Sequence, residues 1–435
     1  MNPTIRSVLD RIEADRDFVI GLTQQLVRIP TVNPKFEQGP GINREPDLQN
    51  HLEGVLKDLG MQTEQSEALP GRPNLVGRLP GSNERSLILN GHIDVVPVGE
   101  QSRWTMDPFG GEIVGNRLYG RGSIDMKAGV AANVAAVKAI REAGLQLEGR
   151  LELHSVVDEE AGGFGTIDLI KRGHLAAGAI VTEPTWGAVL PAEGGLEWCR
   201  VTITGKSAHS AWRYNEIFPQ HHTVERLEPG TNAILLAARF LEALQQYELD
   251  ITRRRSHPLV PAGLNTINVG VIRGGSGRGP DGLPAVMTNP AIIPDTVVID
   301  LDMKFLPQET SAEYRAEFES FVHHFAQTSH WLREHPPQLQ WELGGLHFPP
   351  MNTPVEHPLV SSVIGLRKEL GLETAIKGFE AVADAAFYAG AGMPVVIYGP
   401  GGDGFHGYDE YVDIESLVLT TKVVAASVLE WCGVG

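Results

Sequence analysis

Hydrophobic positions follow two rhythms along this chain. Through the first two hundred residues, short apolar runs such as Ser86–Asp94, Leu151–Val157 and Ala179–Thr182 read as buried strands that end in polar loops. Between them Val130, Val134 and Val137 recur at helical spacing, and Gly144 follows as a stop signal. Apolar strands alternating with helices predict an α/β fold, a mostly parallel sheet covered by helices. In such sheets the chemistry collects in the loops that follow the strands.

Near Gly194 the rhythm changes. Trp198–Thr204 alternates like a half-buried strand, Thr231–Tyr247 has the period of a helix, and Asn265–Ile272 and Val297–Phe305 read as strands. A further helix is predicted over Thr310–Trp331, where Thr310 and Glu313 have capping-box spacing, and Gln338–Leu343 closes the series as a strand. The order β-α-β-β-α-β is that of the ferredoxin-like split unit. Past Pro349 and Pro350 the helical pattern returns at Leu359, Val363, Leu366 and Leu370, followed by a strand at Pro394–Tyr398 and a helix at Ile414–Trp431. The predicted architecture is a discontinuous α/β domain, residues 1–193 and 349–435, with a ferredoxin-like α+β domain inserted at 194–348. The glycine-rich stretch Gly274–Gly282 is expected to be a mobile loop.

Composition narrows the partners. In 435 residues, 36 Lys and Arg stand against 54 Asp and Glu, a formal charge of −18. Such a surface repels phosphate backbones and anionic lipid, so neither nucleic acid nor membrane is expected as a partner. A hydrophobic content of 42% is enough to bury a core, which excludes disorder as the working state. Cys199 and Cys432 supply no disulfide framework. The first residues carry no signal-like apolar run, and no run reaches the length of a membrane span, so a cytoplasmic protein is expected.

Candidate chemistry sits at predicted strand ends. His92 and Asp94, two apart, leave the same face of a strand. Asp125 lies in the polar loop Gly120–Gly129 that opens an apolar helix; alone it would be an ordinary N-cap. Glu159 and Glu160 follow another strand, where adjacent carboxylates can divide labour. Glu183 and His406 follow two more. Five loops thus offer two imidazoles and three carboxylates, a donor set suited to two zinc ions with one carboxylate bridging.

Five segments in order carry a family resemblance: Asn90-Gly-His-Ile-Asp-Val-Val-Pro97, Gly120-Arg-Gly-Ser-Ile-Asp-Met-Lys-Ala-Gly129, Val157-Asp-Glu-Glu160, Glu183-Pro-Thr185 and Gly205-Lys-Ser-Ala-His209. From about residue 16 to the C-terminus the chain resembles the co-catalytic dizinc hydrolases that include acetylornithine deacetylase, succinyl-diaminopimelate desuccinylase, aminoacylase and glutamate carboxypeptidase. The resemblance implies that His92 and Glu183 hold one zinc, that Glu160 and His406 hold the other, and that Asp125 bridges them. Cobalt or manganese would be possible substitutes. It implies that Asp94 orients His92, that the Asp125–Met126 peptide is cis, and that Glu159 is the general acid/base. It also implies that residues 194–348 form a lid and homodimerisation domain, from which His209 reaches the partner's site to donate to the oxyanion.

Substrate recognition departs from the family pattern. Many relatives have Thr/Ser-Asp-x-Arg-Phe where this chain has Ala383-Asp-Ala-Ala-Phe387, and Lys304 replaces a second common arginine. Lysine and alanine cannot copy arginine's bidentate grip on a carboxylate, although carboxypeptidase-like relatives also lack the first arginine. Asn289 matches a lid asparagine that contacts substrate. Gly399, Gly401 and Gly404 mimic a dinucleotide fingerprint, but no helix opens there; Gly401 and Gly402 fit a backbone loop approaching substrate. The long stretch 212–229, with Trp212, Tyr214 and Phe218, is either a surface loop or an aromatic wall on the acyl pocket, and His221-His222 reads as surface loop. The expected activity is hydrolysis of the amide bond of an N-acyl amino acid or related small molecule. A dipeptidase or carboxypeptidase with the same metal centre is the alternative, and a carbamoyl-amide hydrolase a third. A non-catalytic metal-binding protein would have no use for Glu159 beside Glu160.

Overall fold

A computed structural model describes residues 2–217 and 229–435, so Phe218, His221 and His222 lie outside the described residues. The chain forms two compact units, one of the residues up to Glu193 together with Met351–Gly435, the other of Gly194–Pro350.

The first unit is built on a nine-stranded sheet. Its main path runs Gln62–Leu69, Arg72–Leu79, Gly149–Val156, Ser82–His92, Ala179–Val181, Val395–Ile397, Val189–Glu193 and Met351–Asn352. The four strands from Gly149–Val156 to Val395–Ile397 are mutually parallel, and antiparallel pairings extend the sheet on either side. Side chains alternate across the pleat, so one strand serves two cores. Leu87 and Leu89 pack with Val130, Val134, Val137 and Val424, whereas Ile88 packs with Val181, Val395, Ile397 and Tyr388. Helices Ala128–Glu142 and Ile414–Cys432 supply much of the first layer. Gly129 lets the first of them close on the sheet, because a Cβ there would lie 2.2 Å from the Thr182 carbonyl oxygen. Parallel strands share a direction, so the loops after His92, Val156, Val181 and Ile397 all leave from the same edge.

The second unit has a six-stranded antiparallel sheet ordered Pro284–Val286, Ile267–Arg278, Thr296–Phe305, Gly195–Thr204 and Gln338–Trp341, with His347–Phe348 also paired to Gly195–Thr204. Helices Ala233–Arg254 and Ser311–Ala326 place Phe240, Leu244, Phe318 and Val322 in one core with Val201, Ile203, Val297 and Ile299. This is the ferredoxin-like connectivity. The capping box at Thr310 and Glu313 is formed.

Two expectations need correction. Gly274–Gly282 is not a loop throughout: the strand continues to Arg278, and Ser276 and Arg278 pair with Val286 and Pro284. Glycine permits this approach, since a Cβ on Gly275 would stand 2.3 Å from the Val286 carbonyl oxygen. The helix predicted to Trp331 ends at Ala326, where Thr328 Oγ1 donates to the Phe325 carbonyl at 2.7 Å; His330–Glu334 is a separate turn of helix. No helix among the described residues is long and apolar enough to cross a membrane.

Candidate metal centre

The shared strand edge gathers six side chains. His92 ends its strand with Nε2 3.1 Å from Asp125 Oδ1, 3.7 Å from Glu183 Oε1 and 3.8 Å from Glu159 Oε2. His406 Nε2 lies 3.3 Å from the other Asp125 oxygen and 3.0 Å from Glu160 Oε2. Asp125 therefore turns its two carboxylate oxygens to different imidazoles. It stands in the tight turn Ser123–Lys127, its peptide to Met126 is cis, and the amides of Ile124 and Asp125 donate to Glu410 Oε1. Glu410 is fixed in turn by Arg121, 2.6 Å from its second oxygen.

A buried charge network fixes the Glu159–Glu160 turn. The Asp94 carboxylate accepts the amides of Glu159 and Glu160 at 3.1 and 3.3 Å, and Asn33 Nδ2 at 2.8 Å. His92 Nδ1 is engaged by the backbone carbonyl of Asp94, at 2.9 Å, while the Asp94 carboxylate stays 3.7 Å away. The Asp94 main chain thus meets the ring at hydrogen-bond distance, while its carboxylate lies at ion-pair range from the same nitrogen and also holds the turn. Asp158, left-handed at φ 71°, precedes the pair and is held by Arg72 and Lys35, both at 2.5 Å; Arg72 also grips Glu45 at 2.6 and 2.8 Å. Sequence reading missed this network. Its one available signal was Glu45 in register with buried Leu48, Leu52 and Leu56 on the apolar face of helix Glu45–Asp58.

Burial dominates the electrostatics. It pushes the carboxyls of Glu159 and Glu183 well above their ordinary range, with neighbouring acids adding to the effect and His92 opposing it. Glu160 is raised by burial and by Asp125, against the pull of His406. For Asp125 burial is overcome by His406 and His92, which hold it far below the usual carboxylate range. Hydrogen bonds that its ring donates to Asp125 and Glu160 raise His406 to about 10. Four acids with largely covered side chains, against two imidazoles, leave negative charge that is costly unless cations neutralise it. The spacing suits metal ions: bonds of about 2.0–2.2 Å at tetrahedral angles place neighbouring donors about 3.3–3.6 Å apart. The distances from each histidine to its nearest acids, 3.0–3.7 Å, bracket that value.

The other predicted site residues are divided between the two units. Within the second unit, exposed His209 accepts the Ala211 amide at Nδ1, which leaves its proton on Nε2. Its segment is tied to the Asn289 segment by a bridge to Ile292, and Asn289 accepts the Ala291 amide. Lys304 is half-buried on the strand Thr296–Phe305. Exposed Trp212 stacks obliquely 5.9 Å from His209, and Tyr214 is also exposed. In the first unit the Gly401 amide donates to Ser416 Oγ, and Gly402 pairs with Val412.

An α/β sheet whose strand ends collect two imidazoles and four clustered carboxylates defines a metallohydrolase. A family model described as peptidase family M20/M25/M40 matches residues 88–430, and the chain belongs to that family. It is 33% identical to N-formyl-4-amino-5-aminomethyl-2-methylpyrimidine deformylase of Bacillus subtilis (strain 168), over 99% of each chain. It is 28% identical to aminoacylase-1 of Sus scrofa, over 88% of this chain and 86% of the other. The crystal structure of aminopeptidase PepT from Bacillus cereus ATCC 10987 superposes with a TM-score of 0.70 at 20% identity, covering 96% of this chain and 98% of that one.

Proposed function

We propose that the protein is a deacylase that hydrolyses the amide bond of a small N-acyl compound at a dinuclear centre. His92 and Glu183 would hold one zinc ion, Glu160 and His406 the second, and Asp125 would bridge, with cobalt or manganese able to substitute. When bound, such a pair supplies Lewis acidity to a water and to the scissile carbonyl. Glu159 takes the proton from the attacking water and returns it to the leaving amine nitrogen. Asp94, accepting the Glu159 amide, holds that base by its backbone. The observation that carries the reading is Asp125, whose two oxygens face two imidazoles in a site overfilled with acid.

Buried Ala386 stands where many relatives carry an arginine, so no guanidinium fork grips a substrate carboxylate there. Together with the deformylase likeness, this favours short N-acyl amines over N-acyl amino acids. A second copy would complete the enzyme through residues 194–348. Residues Ile267–Gly275 pair with a neighbour on one edge among the described residues, leaving Val269, Val271 and Ile272 exposed, and Gly274 lies against exposed Ile234. From such a partner His209 would donate its Nε2 proton to the carbonyl oxygen as charge develops. Cys199 and Cys432 are free and buried, which fits the cytoplasm.

A panel of N-formyl aminomethylpyrimidine, N-acyl amino acids and unblocked dipeptides, offered to protein loaded with zinc, cobalt or manganese, tests the reading. Hydrolysis of the N-acyl compounds is expected. Faster cleavage of the dipeptides would replace the deacylase with a dipeptidase, and no hydrolysis at all would reduce the protein to a metal binder.

A further inference from the structure

Two aromatic side chains beside the centre have no part in the chemistry so far. Trp186 lies three residues past Glu183, and Phe405 directly precedes His406. Both are large and apolar yet exposed, Trp186 at 53% and Phe405 at 43%. Their ring centroids are 5.8 Å apart at 62°, and Phe405 is 6.4 Å from the His406 ring. That imidazole in turn touches Asp125 and Glu160. A file of exposed rings, Trp186, Phe405 and His406, therefore ends at the carboxylates of the centre.

The file is fixed in place. Trp186 has φ 53°, a left-handed conformation uncommon for a bulky residue. The amides of Thr185 and Trp186 both donate to the Pro400 carbonyl at 3.2 Å, and the Gly187 amide donates to Gly399 at 3.2 Å. Thr185 Oγ1 bonds both the carbonyl and the amide of Gly399 at 3.1 Å. The indole N–H donates to the Gly402 carbonyl at 2.8 Å, so the polar edge of the ring is satisfied by the protein. A Cβ on Gly401 would sit 3.0 Å from the indole Cδ1, which explains glycine at that position. A rigid aromatic face placed in advance binds a flat ligand without losing side-chain freedom.

We propose that Trp186 offers a stacking face for a planar ring in the substrate, with Phe405 standing as a side wall at an angle to it, which makes the substrate class an N-acyl amine bearing an aromatic or heteroaromatic ring. The inference rests on the deacylase reading and adds a specificity determinant to it. Stacking needs no charged partner, in keeping with Ala386 in place of a carboxylate-binding arginine.

The test compares zinc-loaded wild-type protein with Trp186→Leu, Trp186→Phe and Phe405→Ala on N-formylbenzylamine and N-formylbutylamine, and measures benzylamine binding by calorimetry. Stacking on one ring is worth about 1–3 kcal/mol, so Trp186→Leu should lower the benzyl-to-butyl ratio of kcat/KM by roughly 5- to 150-fold, mostly through KM. Trp186→Phe should retain part of that ratio, and Phe405→Ala should lower it less than Trp186→Leu. Benzylamine affinity should fall alongside in Trp186→Leu. Equal losses on both formamides, or undiminished benzylamine binding by Trp186→Leu, would overturn the platform. If wild-type protein hydrolyses neither formamide, the deacylase reading fails, and benzylamine binding still decides whether the platform exists.

Discussion

Two groups of acid and imidazole lie on the same sheet and differ in how their charge is settled. In one, Glu152 Oε2 is shared by His154 at 2.9 Å and His174 at 3.2 Å, while Arg78 and Arg150 reach Oε1 at 2.8 and 3.2 Å. His154 passes its other nitrogen to the Tyr388 hydroxyl at 2.7 Å. One carboxylate thus has two guanidinium groups and two imidazoles. Despite burial, its hydrogen bonds to the histidines and the charge of Arg78 hold it far below the carboxylate range. At the strand ends the proportion is reversed, with four acids against His92 and His406. A cluster that neutralises itself is a structural tie, and one that cannot is made for ions from outside.

Chelation should separate the two groups most sharply. Dialysis against a strong chelator should take hydrolysis to background, and zinc, cobalt or manganese should restore it, with two ions per chain by elemental analysis. His174→Ala should bind the same two; loss of an ion from that variant would erase the distinction.

Next in size, Glu159→Gln should lower kcat about 10²- to 10⁴-fold, the usual worth of general acid–base catalysis, with metal content unchanged. Near-normal turnover would remove Glu159 from its role.

Glu152→Gln should act on stability and leave turnover little changed. Removing one partner from a buried ion pair costs about 3–5 kcal/mol, read as a lower Tm at neutral pH. The pH dependence has a defined sign. A carboxyl depressed below its ordinary 4.5 contributes stability that is complete above that value and is lost as pH falls toward the folded-state pKa. The acid branch of the Tm–pH curve should therefore be shallower in Glu152→Gln. Identical slopes would mean that the trio does not carry that load.

The same contrast explains what could be read from the sequence. The strand-end positions of His92, Glu159, Glu160, Glu183 and His406 follow from apolar runs, and parallel pairing brings them to one edge, so the gathering was legible once the sheet was. Which groups tie down the turn was not. Arg72, Glu45 and Asp158 come from separate stretches, and only packing reveals that they meet. Asp94 was legible as a neighbour of His92, but the choice between its carbonyl and its carboxylate depends on where the Glu159 and Glu160 amides point. Gly274–Gly282 misled because glycine marks both loops and close strand pairing. Trp186 and Phe405 carried no periodic signal, since exposure of a lone aromatic is decided by the loops around it.

The interruption of the first unit bears on its biosynthesis. His92, Asp125, Glu159, Glu160 and Glu183 leave the ribosome before Gly194–Pro350, whereas the strand Val395–Ile397, His406 and the helix Ile414–Cys432 emerge after it. Until then the strand Ala179–Val181 lacks its neighbour on one side, and the acids face a single imidazole. A nascent or truncated chain therefore carries the acids without the second histidine. The complete centre is in this sense a certificate that translation has passed His406.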